Sequence, residues 1–179
     1  MEFIKTDIKG LILVKPKVFT DNRGFFLESY SVSKFKEGGI DCTFVQDNHS
    51  RSINAGVIRG LHFQTEPFSQ AKLIRAIRGS IFDVAVDLRR DSPTFGQWRG
   101  FTLSASNFDM LFIPRGFAHG FCTLEDNSEI AYKADNLYSA QHDSGIIWND
   151  PDINITWPTE KPILSEKDSN LPTLNQFFR

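Results

Sequence analysis

Apolar residues in this chain fall in short runs, many alternating with polar ones, and clusters of Gly, Asp and Asn separate the runs. That is the pattern of pleated strands rather than of helices. Residues 11–14, 25–28, 43–46 and 57–63 form the first such runs, and Asp21-Asn22-Arg23-Gly24 is a turn signal ahead of the second. One short helix is expected at residues 32–37, with Ser31 as its N-cap and Gly38-Gly39 as its stop. From Lys72 the alternation tightens. Residues 72–78, a Gly79-Ser80 turn and residues 81–88 read as a hairpin, whose second strand puts Val84, Val86 and Leu88 on one face and Asp83, Ala85 and Asp87 on the other. Residues 98–103, 110–113 and 128–133 continue the series, with Ile130 and Tyr132 sharing a face. Beyond Trp148 prolines space the chain, which is expected to wrap the strands as irregular coil and short helical turns.

So many short strands with hardly any helix predict an all-β protein, an antiparallel barrel or sandwich. The length, 179 residues without an internal repeat, suits one domain, 1–179. The turn Pro114-Arg115-Gly116-Phe117-Ala118-His119 sharpens the expectation, because Pro-Xaa-Gly-Xaa-Xaa-His resembles half of the cupin signature. That resemblance implies a cupin-type antiparallel jelly-roll barrel with short peripheral helices.

Candidate chemistry concentrates between Gly56 and Gln64. In an extended strand Val57, Arg59, Leu61 and Phe63 share one side, and Ile58, Gly60, His62 and Gln64 the other. Gly60 leaves room beside His62 for a ligand or for another backbone. An imidazole so placed is an acid, a base or a metal ligand, or else a histidine satisfied inside a core. Asp83 and Asp87 are either solvated at an edge or aimed into a polar cavity.

Composition narrows the partners. A hydrophobic content of 40% with 17 phenylalanines argues against disorder. A formal charge of -2 provides no field for nucleic acid or for an anionic membrane, so any anion must be bound locally. Cys42 and Cys122 lie far apart without a CxxC spacing and read as free thiols of a reducing compartment. The charged start of the chain is unlike a signal peptide and no run has the length of a membrane span, so a cytoplasmic protein is expected.

Cupins commonly hold a metal through a His-Xaa-His pair, a carboxylate and a later histidine. Here the first motif is His62-Phe63-Gln64, and a neutral amide is a poor substitute for imidazole, so neither metal nor cofactor is expected. The inward candidates are then His62 as a base, Lys72 as a cation and Tyr132 as an acid, with His119, Asp83, Asp87, Arg23 and Arg59 around them. No nucleophile motif, phosphate loop or dinucleotide fingerprint accompanies them. Acid and base alone point to proton abstraction beside a carbonyl and reprotonation, with Lys72 or a histidine stabilising the enolate. Base and acid on opposite faces would invert a stereocentre.

Several strings carry a closer resemblance: Gln46-Asp47-Asn48-His49-Ser50-Arg51-Ser52, Arg59-Gly60-Leu61-His62-Phe63-Gln64, Gln70-Ala71-Lys72-Leu73, residues 83–96, residues 113–121, Tyr132-Lys133, residues 145–151 and residues 164–168. In this order, over nearly the whole chain, they resemble the dTDP-4-dehydrorhamnose 3,5-epimerase family. The resemblance implies a metal-free, cofactor-free homodimer that epimerises C3 and C5 of dTDP-4-dehydro-6-deoxy-α-D-glucose on the route to dTDP-L-rhamnose. It implies that His62 is the base, Asp168 the carboxylate paired with it, Tyr132 the acid and Lys72 the cation near the C4 oxygen. Arg23, Glu28, Gln46, Asp47, Asn48, Arg59, His119 and Lys167 then match substrate-binding positions, and Tyr138 an aromatic that stacks on thymine. Two positions depart from the family. Asp143 stands where glutamate is usual, so its nucleotide contact must reach further or go through water. Ala71 replaces the glycine often found before the lysine, a change the strand either tolerates or answers with a narrower cavity beside Lys72. A 3- or 5-monoepimerase of a related dTDP-4-keto sugar, a metal-dependent cupin enzyme and a non-catalytic sugar-nucleotide sensor are the alternatives.

Overall fold

The structure, a computed structural model, describes residues 1–179. Two antiparallel sheets face each other. One runs in the order β1 (Glu2–Lys5), β2 (Ile12–Lys15), β10 (Met110–Ile113), β7 (Lys72–Arg78), β12 (Ser128–Ala134) and β5 (Gln46–Ser52). The other runs β13 (Asp143–Gly145), β6 (Ile58–Gln64), β11 (Phe117–Thr123), β8 (Ser80–Asp87) and β9 (Trp98–Ser104). A separate hairpin, β3 (Val18–Asp21) and β4 (Gly24–Leu27), closes on the predicted Asp21-Asn22-Arg23-Gly24 turn. This is the all-β jelly roll that the Pro114 to His119 turn implied, with α1 (Val32–Glu37), α2 (Glu166–Ser169) and α3 (Leu174–Phe177) at its periphery.

Three apolar layers explain the alternation. Between the sheets, Ile74, Ala76, Leu111 and Ile130 meet Ile81, Ala85, Leu103 and Phe121. Outside the larger sheet, Val14, Leu73 and Met110 pack under Phe35 of α1. Outside the smaller one, Leu61, Val84 and Val86 lie under Ile146, Ile153 and Leu174 of the C-terminal tail. Both faces of the central strands are therefore covered, and their sequences are apolar on both sides.

Four expectations change. Residues 72–78 and 81–88 do not form a hairpin: β7 pairs with β10 and β12, whereas β8 pairs with β9 and β11. Gly79, at φ +67°, is a corner between sheets, where a Cβ would lie 2.5 Å from Ser128 Oγ. The strand expected at 43–46 begins at Gln46 and runs to Ser52, its polar residues hiding it because every second one faces solvent. Helix α1 forms as expected, but Ser31 makes no capping bond and the buried Phe35 anchors the helix instead. The Ala71 methyl packs into the outer layer with Leu73 and Phe112, so it does not narrow the space beside Lys72.

Candidate active site

The site begins with an irregularity in β6. His62 pairs with His119 of β11, but Arg59 pairs with Phe121, so β6 uses one residue more than its partner. Such a bulge rotates the side chains that follow it. Gly60 makes it possible: a Cβ there would lie 2.5 Å from the Gly120 Cα, at φ +135°. The space beside His62 thus admits a neighbouring backbone. As a result Arg59, which strict alternation puts on the opposite face from His62, lines the same cleft.

That cleft, about 340 Å³, lies between the sheets. Asn48 and Ser50 of β5, Lys72 of β7 and Tyr132 of β12 line one side; Arg59 and His62 of β6 and His119 of β11 line the other, with Lys167 and Asp168 of α2 alongside. His62 Nε2 meets Asp168 Oδ1 at 2.5 Å. Asp168 is buried, and its backbone N–H donates to the Ser165 side chain that caps α2. Burial opposes its charge, yet the bonds from His62, Ser165 and the Gly60 backbone hold its carboxyl below the usual carboxylate range. With Nε2–H donated to Asp168, the Nδ1 lone pair is the one available as a base.

On the other sheet, burial first and the Asp143 charge second raise the Tyr132 phenol, so it stays protonated at neutral pH. Burial pulls the Lys72 ammonium down to about 8, against the opposing pull of Asp143 and Asp83. Its Nζ sits 5.9 Å from the Tyr132 ring centroid. His119 Nε2 meets Asp83 Oδ1 at 2.7 Å, both groups buried, and Asp83 Oδ2 has no partner in the chain. Arg59 is steadied by Ser52 Oγ at 3.1 Å and by the Arg51 carbonyl at 3.2 Å.

The remaining sequence candidates divide. At the rim Gln46 accepts from the Tyr138 backbone N–H at 3.0 Å and donates to Asn48. Tyr138 is largely exposed, and Asp143 accepts from both Tyr138 and Lys167. Asp47 pairs with Lys133 and borders a separate groove outside the larger sheet. Arg23 pairs with Asp21 on the exposed hairpin, and Glu28 pairs with Lys34. Within one chain, then, Arg23, Glu28 and Asp47 do not meet His62. Asp87 is also absent from the cleft; although burial opposes it, Arg89, Ser92 and Thr94 hold its carboxyl at about 2 as a turn lock.

The residues present do not fit a metal. Gln64 donates to the carbonyls of Phe68 and Leu137 and accepts from the Ser139 N–H, so it braces the loop that carries Tyr138. No three His, Cys, Asp or Glu side chains converge. Three supporting roles escaped the sequence reading of the site: Asp83, already among the inward candidates, as partner of His119, Ser165 as cap, and Gln64 as brace. Ser165 had a signal, since Ser followed three residues later by an acidic residue marks a helix start. The other two are defined by contacts across strands.

A jelly roll carrying a carboxylate-oriented imidazole on one sheet and a protonated phenol on the other, around one cleft, defines an acid–base isomerase. The family model described as dTDP-4-dehydrorhamnose 3,5-epimerase matches residues 5–176. The dTDP-4-dehydrorhamnose 3,5-epimerase of Shigella flexneri is 54% identical over 171 residues, covering 95% of this chain and 94% of its own. The crystal structure of the enzyme of that name from Bacillus anthracis, with TDP and PPi bound, has a TM-score of 0.95 at 53% identity, over 97% of this chain and 99% of that one. A dTDP-6-deoxy-D-glucose-3,5-epimerase from Legionella pneumophila, in complex with dTDP-4-keto-L-rhamnose, has a TM-score of 0.93 at 45% identity, over 97% and 93% of the two chains. The chain belongs to the dTDP-4-dehydrorhamnose 3,5-epimerase family.

Proposed function

We propose that this protein epimerises dTDP-4-dehydro-6-deoxy-α-D-glucose at C3 and C5 to dTDP-4-dehydro-β-L-rhamnose, for dTDP-L-rhamnose and cell-surface polysaccharide synthesis in the cytoplasm. The observation that carries the reading is His62 and Tyr132 reaching one cleft from opposite sheets. At each carbon His62 removes the hydrogen next to the C4 ketone, the electron pair passes into the enolate, and Tyr132 returns a proton from the other face. Lys72 stabilises the charge on the enolate oxygen, and Asp168 keeps the imidazole in the basic tautomer. Arg59, Asn48, His119 and Lys167 hold the sugar diphosphate, Gln46 steadies the rim and Tyr138 offers its ring to thymine.

We infer a homodimer as well, each copy a single domain spanning 1–179. Phe19, Phe25 and Phe26 on the β3–β4 hairpin are more than half exposed, and three such rings on one arm require cover. A second copy that receives this arm over its cleft brings Arg23 and Glu28 to the substrate in trans, with Asp47 near the join.

Turnover in deuterated water, followed by NMR, tests the proposal. The expected product carries deuterium at both C3 and C5. Label at one carbon marks a monoepimerase, and dTDP binding without exchange marks a sensor.

A further inference from the structure

Asp143 is bound by two side chains of the protein itself. It lies on β13, whose register sets Asp143 opposite Gln64 and Gly145 opposite His62. Its Oδ2 accepts from Lys167 Nζ at 2.6 Å and from the Tyr138 hydroxyl at 3.2 Å. Lys167 and Asp168 are neighbours on the single turn of α2, so that turn is tied twice, through Asp168 to β6 and through Lys167 to β13. The Asp143 carboxylate is mostly shielded, its Oδ2 already accepts from two donors, and its charge would repel an anionic diphosphate. The hydrogen bond it accepts holds the Lys167 ammonium above its ordinary range, as a settled partnership does.

We propose that Asp143 is a positioning residue: through Lys167 it fixes the turn that seats Asp168 on His62, and through Tyr138 it sets the rim of the same cleft. The role rests on the epimerase reading, so wild-type turnover is measured first, and its failure would count against that reading alone.

The test combines steady-state kinetics with the ¹⁵N shifts of the His62 ring, which report its tautomer whether or not the enzyme turns over. Asp143→Asn and Lys167→Met should each lower kcat about fivefold, the scale of one partly exposed ion pair, and each should reduce the Nε2–H tautomer. The double variant should be no worse than the poorer single one, and Asp143→Glu should restore most of the loss. Should Asp143→Asn fail to fold, as a thermal melt would reveal, the His62 ¹⁵N shifts of substrate-free Lys167→Met carry the test, because they do not depend on the contact of Lys167 with the diphosphate. A rise in KM alone for Asp143→Asn, with kcat and the His62 shifts unchanged, would make it a substrate ligand and overturn the proposal. Fully additive effects of the two changes would overturn it too.

Discussion

The two walls of the cleft are built on different plans. On the β6 side each chemical group has a protein partner: His62 has Asp168, Asp168 has Ser165, His119 has Asp83 and Arg59 has Ser52. On the β12 side the Tyr132 hydroxyl and the Lys72 ammonium have no hydrogen-bond partner in the chain and depend on strand register, with Tyr132 opposite Ile74 and Ala134 opposite Lys72. The contrast follows from the groups themselves. Imidazole has two nitrogens and works as a base only when the correct one is bare, so a second residue must choose. A phenol has one proton on one oxygen, and desolvation alone keeps it there.

The largest effects probe whether both walls are needed. His62→Asn and Tyr132→Phe should each lower kcat by about 10²–10⁴, the contribution of a positioned proton-transfer group, while dTDP affinity by calorimetry stays near that of the wild type. A Tyr132→Phe enzyme with wild-type kcat would remove the acid wall from the mechanism.

The next effect probes the difference itself. Asp168→Asn should cost roughly 10²-fold in kcat through the wrong tautomer. Ile74→Val, the nearest equivalent beneath Tyr132, should cost only about 1 kcal/mol of stability in a denaturant melt and little activity. Equal losses in kcat would erase the contrast.

The smallest effect uses pH. The free-enzyme profile of kcat/KM should fall as pH rises through about 8, because the Lys72 ammonium then loses its proton. Stability responds with the opposite sign. The folded-state value of about 8 lies below the ordinary lysine value of 10.5, so the unfolded chain binds more protons between them and stability rises with pH across that window. Lys72→Met should therefore melt higher than the wild type at pH 7, and the gap should close towards pH 10.5.

The same contrast governs what was legible beforehand. Register-dependent features could be read from alternation: Ile130 and Tyr132 share the inner face, and Val84 and Val86 the outer one. The histidine turn at 114–119 and the family strings placed His62, Tyr132, Lys72 and Asp168 in one cleft, and the fold agrees. Features made by contact between distant segments were not legible. Gly79-Ser80 looks the same in a hairpin as at a corner between sheets, and the three residues of β13 are a strand only because β6 is beside them. Arg59 changed faces because of a bulge in β6 that shows only in its pairing with β11. Arg23 and Glu28 matched by motif alone, and a motif does not say which copy of the chain its residues serve.

Gly60 and Gly120 touch main chain to main chain, and a methyl on either would press on the other strand. Neither position can be varied first and repaired by its mate, since the only repair for lost room is more room. A library aimed at a new sugar should therefore keep this pair invariant and place its diversity at Ser50, which lines the cleft and whose hydroxyl has no hydrogen-bond partner in the chain.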